Sequence, residues 1–475
     1  MPDPTRRLFI QTATAGALST ASLASPATES RPNILLLFPD QFRYDWTQAN
    51  RTLPVRTPNI ARLATNGMSF SKAIVASPLC APSRACLASG KSYPRCRVAG
   101  NGHDYPIDQR THYSLLRDAG YHVVACGKVD LHKATLDWGL DGKRLLKEWG
   151  FSDGIDNAGK YDAISSGAEA PKDPYMAYLY GRDLAAAHIA DFRRRIKDGY
   201  AGTYPTPLPD PAYCDNWIGN NGLQLLTQSP KDRPWYLSVN FTGPHNPEDI
   251  TASMEARARG REFPQPNGCK IYTPEIHTAI RQNYSAMVEN IDRWVGIYVD
   301  ELRKRGELDR TLIVFSSDHG EMLGDHNRWG KSVPWQASVG VPLVVSGPGV
   351  KRRVVNAPVS TLDLTSTFLD YAGIQTPADM DSRSMRPMFT GEKDRHREIV
   401  TSALGPWKMA WDGRYKLMHG YDPAARMSGE GKQLDPVDPS AIQPLLFDHE
   451  TDPQENRNIH SEQAAIARKL ANAWN

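Results

Sequence analysis

The segment Cys80-Ala-Pro-Ser-Arg84-Ala-Cys-Leu-Ala-Ser-Gly90 sets a sulfur nucleophile, a helix-initiating proline and a guanidinium within five residues. Pro82 suits a first helical turn, where the N–H it lacks would have no intrahelical partner. Cys80 then sits beside the free amides and positive end of a short helix, which favours an oxyanion, and Arg84 returns to that end one turn later. On these residues alone the segment reads as an anion-binding cysteine loop. A buried structural cysteine is the plainer alternative. Four other segments deliver polar side chains directly after an apolar run. Residues 34–38 end at Pro39-Asp40-Gln41, and 121–126 lead into Gly127-Lys128. Residues 235–241 run into Gly243-Pro244-His245, and 311–316 end at Asp318-His319-Gly320.

Runs without alternation fit central parallel strands covered on both faces. Ligand sites in open α/β sheets collect at the carboxyl ends of such strands. A purely structural protein has no reason to place polar groups there four times. Helices are expected between the strands, over 58–66 before Gly67 and over 110–119 before a C′ glycine at 120. The longest spans 275–305 before Gly306, with Ile280, Tyr284, Met287, Ile291 and Val295 on one apolar face. Residues 155–215 and 245–275 read as loops and short helices decorating the core. From about 393 the pattern changes to short antiparallel strands, 407–411 and 414–418 around an Asp412-Gly413 turn and another at 445–448. A polar excursion covers 420–440, and a terminal helix is expected over 461–474. The expected fold class is α/β, a mostly parallel central sheet flanked by helices plus a smaller C-terminal α+β subdomain. The expected division is 1–30 as a targeting segment and linker, 31–392 as the catalytic domain and 393–475 as the subdomain.

At 475 residues, with 40% hydrophobic and 23% charged residues, a collagenous, coiled-coil or largely disordered chain is excluded. The balance of 56 basic against 53 acidic residues gives no electrostatic case for nucleic-acid binding. Arg193-Arg194-Arg195 reads as a solvated helix face. The N-terminus, with Arg6-Arg7 before a weakly apolar stretch and small residues near Ala24 and Ala27, resembles a twin-arginine export signal. A periplasmic or secreted location is therefore expected. No later run approaches the 18 apolar residues of a membrane span. The six cysteines suggest no disulfide framework.

The pattern Cys-x-Pro-Ser-Arg resembles the signature of the type I sulfatases, within the alkaline-phosphatase-like superfamily. The resemblance runs from Pro32 to about Asn458, through Asp318-His-Gly and the closing Leu446-Phe-Asp with Glu455-Asn-Arg-Asn458. It implies that a maturation enzyme oxidises Cys80 to Cα-formylglycine. In that family the aldehyde hydrate attacks sulfur, and the hemiacetal sulfate collapses by eliminating sulfate. The resemblance further implies Asp40, Gln41, Asp318 and His319 as ligands of one divalent metal. Many members have Asp-Asp and Asp-Asn at these places. Oxygen-rich ligation favours Ca²⁺, with Mg²⁺ as a second choice and Mn²⁺ tolerated through His319.

Arg84, Lys128 and Lys331 match the family's cations around the sulfate, and His245 matches the histidine facing the leaving group. The family often has Gly-Lys-Trp-His, whereas Gly127-Lys128-Val-Asp-Leu-His132 places its histidine four residues after the lysine. His132 is nonetheless expected at the modified residue. His103 and Lys133 are candidate substrate contacts. His326 is expected either in the pocket or as a hydrogen-bonding strut of the loop after Asp318. The implied reaction is sulfate-ester hydrolysis, with a sulfated carbohydrate preferred over a small aryl or choline ester. The alternative is a phosphonate monoester or phosphodiester hydrolase of the same superfamily, in which Asp-Gln and Asp-His metal pairs also occur.

Overall fold

The computed structural model describes residues 31–425, 438 and 441–474. The strands, in chain order, are β1 (Asn33–Leu37), β2 (Met68–Phe70), β3 (Ala73–Ile74), β4 (His122–Gly127), β5 (Asp153–Asp156), β6 (Trp235–Asn240), β7 (Thr311–Phe315), β8 (Leu343–Ser346), β9 (Arg353–Val355) and β10 (Val359–Ser360). Four more follow: β11 (Val400–Leu404), β12 (Trp407–Trp411), β13 (Tyr415–His419) and β14 (Leu445–Asp448).

The large sheet has the order β5-β4-β6-β1-β7-β8-β2-β9. From β5 to β7 every pairing is parallel, with Leu35 opposite Leu237 on one side and Ile313 on the other. Strand β8 runs antiparallel to both β7 and β2. The unbroken apolar runs are explained by the two layers they feed. Leu35, Leu37, Ile313 and Phe315 enter one buried cluster, while Ile34, Leu36, Leu312 and Val314 enter another on the opposite face.

The helices expected at 58–66, 110–119 and 275–305 are found as Pro58–Asn66, His112–Asp118 and Pro274–Arg305. The last begins where the Thr273 hydroxyl accepts from the Ile276 amide and ends at Gly306, at φ +68°. The decorating region 155–215 contains helices Lys160–Gly167, Pro174–Tyr180 and Ala185–Asp198. The C-terminal strands form an antiparallel sheet, β11-β12-β13-β14, in which β11 joins the three expected from sequence. A helix at Ala464–Ala471 packs on it through Ala467 and Leu470. Much of the 420–440 excursion lies outside the described residues. From Pro32 onward the chain is one compact unit, and Trp407 and Trp411 share a buried cluster with Leu79 and Met322. Among the described residues no helix is long and apolar enough to cross a membrane.

Candidate active site

The carboxyl ends of β1, β4, β6 and β7 converge with the start of the helix Cys80–Ser89. Cys80 is the first residue of that helix, and Gly90 closes it in the left-handed conformation at φ +66°. The first turn of the helix is pinned by two contacts, one of them to the residues after β7. Ser83 donates its hydroxyl to the Asp318 carbonyl at 2.6 Å, and the Ala81 amide donates to Asn101 at 3.1 Å. Every residue of the helix is buried, so its weak amphipathicity is that of an interior element.

Donor atoms of Asp40, Cys80, Asp318 and His319 all lie within 4.8 Å of one another. His319 Nδ1 is 3.0 Å from the Gly320 carbonyl, which fixes its proton there and leaves the Nε2 lone pair inward. That nitrogen lies 3.5 Å from Asp40 Oδ1, 3.7 Å from Asp318 Oδ1 and 3.4 Å from the Cys80 sulfur. Asp40 Oδ1 is buried without a hydrogen-bond partner among the described residues. Lone-pair atoms crowded together in a dry interior require a cation between them, so the donor set fits a divalent metal. The other carboxylate oxygens are already committed. Lys128 pairs with Asp40 Oδ2, and Arg84 Nε donates to Asp318 Oδ2 at 2.9 Å.

Gln41 stands beside this cluster at φ +68° and donates its backbone amide to Asp318 Oδ1 at 3.0 Å. Its side-chain oxygen accepts from Lys331 at 2.6 Å, while its Nε2 donates to Asn246 and Glu321. The amide thus frames Lys331, and a second lone pair on its oxygen remains for a metal. Glu321 extends the frame, accepting from the Leu323 and Gly330 amides at 2.9 and 2.7 Å.

Lys128 follows Gly127, whose φ is +97° and whose added Cβ would sit 2.0 Å from the Asn240 carbonyl. Only glycine lets the chain turn here and aim the lysine at Asp40. Burial opposes the Lys128 charge, but Asp130 and Asp40 hold its pKa well above the ordinary lysine value. Burial would likewise raise the Asp40 carboxyl, yet Lys128, His245, His319 and Lys331 keep it well below the usual carboxylate range. Burial and Asp40 push the Cys80 thiol up, and Lys128, Lys331 and His319 outweigh them, bringing it to about 6. The Arg84 Nη2 is buried without a partner among the described residues. The arrangement is therefore a cation-rich pocket able to hold an anion beside the nucleophile and the possible metal ligands.

Asp40, Cys80, Lys128, His245 and Lys331 all line one cavity of about 450 Å³. Three expected residues lie elsewhere. His132 is fully buried, flanked by Trp138 and Trp149 with ring centroids at 5.6 and 5.2 Å. The place two residues after Lys128 belongs to Asp130, at φ +61°, and the turn it makes carries His132 into the aromatic layer beside Asp156. His103 is exposed on a turn and does not line the cavity. His326 stacks on Trp335 at 4.1 Å and bonds the Gln454 carbonyl at 2.9 Å, which is the strut role. Sequence reasoning missed Tyr161, Asp162 and Tyr200, which complete the cavity. Their only signal was the richness of 155–215 in tyrosine and charge.

The family model described as sulfatase matches residues 32–374. An arylsulfatase of Clostridium perfringens is 25% identical over 90% of this chain and 90% of its own. An N-acetylglucosamine-6-O-sulfatase of Bacteroides thetaiotaomicron is 27% identical over 79% of this chain and 74% of its own. Among solved structures, the phosphonate monoester hydrolase of Agrobacterium radiobacter superposes with a TM-score of 0.74 at 21% identity, covering 94% of this chain and 95% of that one. Such a likeness establishes the shared alkaline-phosphatase-like fold. The family implies a formylglycine and a divalent metal, and the Asp, Cys and His cluster is a group of side chains that could hold such an ion. With its family model spanning most of the chain, this protein belongs to the sulfatases and is a sulfuric ester hydrolase.

Proposed function

We propose that the enzyme removes sulfate from a sulfated carbohydrate, using Cys80, matured to formylglycine, against a metal held by Asp40, Gln41, Asp318 and His319. The observation that carries this reading is the cluster of Asp40, Cys80, Asp318 and His319 opening on a 450 Å³ cavity completed by Tyr161 and Tyr200. A pocket of that size takes a sugar ring, and the relative named as an N-acetylglucosamine-6-O-sulfatase supports a carbohydrate ester. When bound, the metal supplies Lewis-acid polarisation of the sulfate and orients the nucleophile. Ca²⁺ is the preferred ion, since three of the four side-chain donors are oxygens, with Mg²⁺ or Mn²⁺ admissible.

Arg84 holds Asp318 and keeps one N–H set free for a sulfate oxygen. Lys128 neutralises charge beside Asp40, and Lys331 and His245 stand together for the leaving group. The maturation enzyme acts on the extended chain, so modification precedes folding. Export by the twin-arginine route, which carries folded proteins, then delivers a matured enzyme to the periplasm. The working division is 31–392 as catalytic domain and 393–475 as C-terminal subdomain.

Side-by-side turnover of an aryl sulfate, an aryl phosphodiester and a panel of monosaccharide sulfates tests the reading. Sulfate esters are expected to dominate, with the best substrate among the sugars. Dominant phosphodiester turnover would favour the phosphonate-hydrolase alternative.

A further inference from the structure

Five side chains of alternating charge link the catalytic cluster to the cavity wall, four of them lining the cavity and Asp130 lying behind it: Asp40, Lys128, Asp130, Lys133 and Asp162. The Lys128 ammonium touches both Asp40 and, at 3.1 Å, Asp130. Asp130, fully buried, also meets Lys133 at 3.3 Å, and Lys133 in turn pairs with Asp162. Lys133 and Asp162 both line the cavity, their side chains 9% and 20% exposed. Asp162 spends Oδ2 on Lys133, and its Oδ1 has no hydrogen bond among the described residues.

Gly159, which opens the helix carrying Asp162, provides the second observation. Its φ of −66° and ψ of 164° suit any residue, so conformation does not demand glycine there. Space favours it: an added Cβ would lie 2.8 Å from both Asp162 Oδ2 and Lys128 Cε, and those two side chains would have to shift. The missing side chain keeps open the part of the cavity between the lysine on the catalytic aspartate and the acid at the wall.

We propose that Asp162 and Lys133 form a subsite for neutral ring hydroxyls of the sulfated sugar, with Asp130 as its positioning residue. This rests on the sulfated-carbohydrate reading and deepens it. The chemistry follows from charge. Lys128, Asp130, Lys133 and Asp162 balance in charge, so no unpaired ammonium is left there to attract a carboxylate or a second sulfate. A carboxylate oxygen with open lone pairs accepts from a hydroxyl, and an ammonium with a spare N–H donates to its neighbour. A vicinal diol of a neutral pyranose satisfies both. The subsite is coupled to the catalytic end because Asp130 holds Lys133 and Lys128 together.

The test compares kcat and KM for a methyl hexoside monosulfate, the corresponding uronic-acid glycoside, choline sulfate and 4-nitrophenyl sulfate. Wild type should prefer the neutral hexoside. Asp162→Asn should raise KM for the hexoside by roughly 10- to 100-fold, the range of a lost charge-assisted hydrogen bond, with a much smaller loss on the aryl ester. Calorimetric binding of the hexoside sulfate to Cys80→Ala protein, with and without Asp162→Asn, should show the same weakening without turnover. Asp130→Asn, which retains the left-handed backbone, should act through KM on the same substrate and be non-additive with Asp162→Asn. Equal losses on every ester, or lowered kcat and melting temperature without a KM effect, would reduce these residues to scaffold and overturn the proposal. Selective loss of the uronate or choline ester would overturn hydroxyl recognition in favour of an ionic contact. Wild type that turns over 4-nitrophenyl sulfate but no sugar sulfate would remove the carbohydrate reading and the subsite with it. Sugar turnover indifferent to Asp162→Asn, to Asp130→Asn and to the two combined would remove the subsite alone.

Discussion

Lys331 Nζ lies 2.5 Å from His245 Nε2, while His245 Nδ1 lies 2.5 Å from the Asn246 carbonyl. An imidazole whose Nδ1 proton serves a carbonyl presents a lone pair at Nε2, and here that lone pair meets an ammonium. Burial pushes the His245 pKa well below the ordinary histidine value, and the Lys331 charge pushes it in the same direction. The histidine is therefore neutral, and the proton between the two nitrogens belongs to Lys331. His245 aligns it.

The pair should matter in proportion to the basicity of the departing oxygen. A sugar alkoxide needs a proton as it leaves, whereas a nitrophenolate leaves without one. His245→Ala and Lys331→Ala are each expected to slow a sugar sulfate by roughly 10²- to 10⁴-fold, the span of positioned acid catalysis, with a much smaller loss on 4-nitrophenyl sulfate. The ratio of kcat/KM values for the two esters reads this directly. Equal losses would move the pair to sulfate binding.

Cys80 begins a buried helix that Ser83 and Ala81 anchor through other contacts. Removing the Cys80 sulfur should leave that anchorage intact. Cys80→Ala is expected to abolish turnover while the melting temperature changes little, because a covalent path is lost and not a core contact. Peptide mass analysis of matured protein should show residue 80 without its SH₂ and with one oxygen gained. A free thiol in fully active enzyme would exclude the mechanism.

Asp318 performs three tasks: one oxygen faces His319 and the Gln41 amide, the other holds Arg84, and its carbonyl receives Ser83. Asp318→Ala retains the carbonyl contact but leaves a divalent ion with one carboxylate and a buried guanidinium without its acid. Both metal content, by elemental analysis, and rate should fall together. Full activity in metal-free Asp318→Ala protein would reject the assigned ligand role.

The strand ends were legible because β1, β4, β6 and β7 are covered on both faces and so read as unbroken apolar runs. The residues immediately after them, from Asp40 to His319, inherit that legibility. Short strands such as β2 and β9 have three residues each and carry no run to recognise. His132 was misplaced for a different reason. Its spacing from Lys128 is visible in sequence, but the left-handed turn at Asp130 that carries it between Trp138 and Trp149 is not. Tyr161 and Asp162 stand on a helix and Tyr200 on a short turn, with no motif of their own, and only packing against the β1, β4 and β6 ends brings them to the cavity.

Glu455 joins the C-terminal sheet to the catalytic part of the chain, and it should make that junction sensitive to acid. Its carboxylate receives Lys416 of β13 at 2.7 Å, His449 at 3.0 Å and the Gln336 amide at 2.7 Å. Burial works to raise its pKa, but Lys416 and His449 dominate and lower it from 4.5 to about 2. Burial lowers the Lys416 ammonium at the same time, so part of the gain on the acid is offset by the base. A carboxyl whose folded pKa is depressed stabilises the fold fully above its unfolded value and loses that contribution as pH falls through the folded one. The shift corresponds to an upper bound of about 3 kcal/mol, present in full above about pH 4.5 and lost progressively toward pH 2. Melting temperature measured across that window should fall more steeply for wild type than for Glu455→Gln, which has no charge to titrate. At pH 7 the variant should be the less stable of the two, with a buried ammonium deprived of its partner. Parallel pH profiles for the two proteins would show that Glu455 is held by its hydrogen bonds alone and that its charge contributes nothing to the junction.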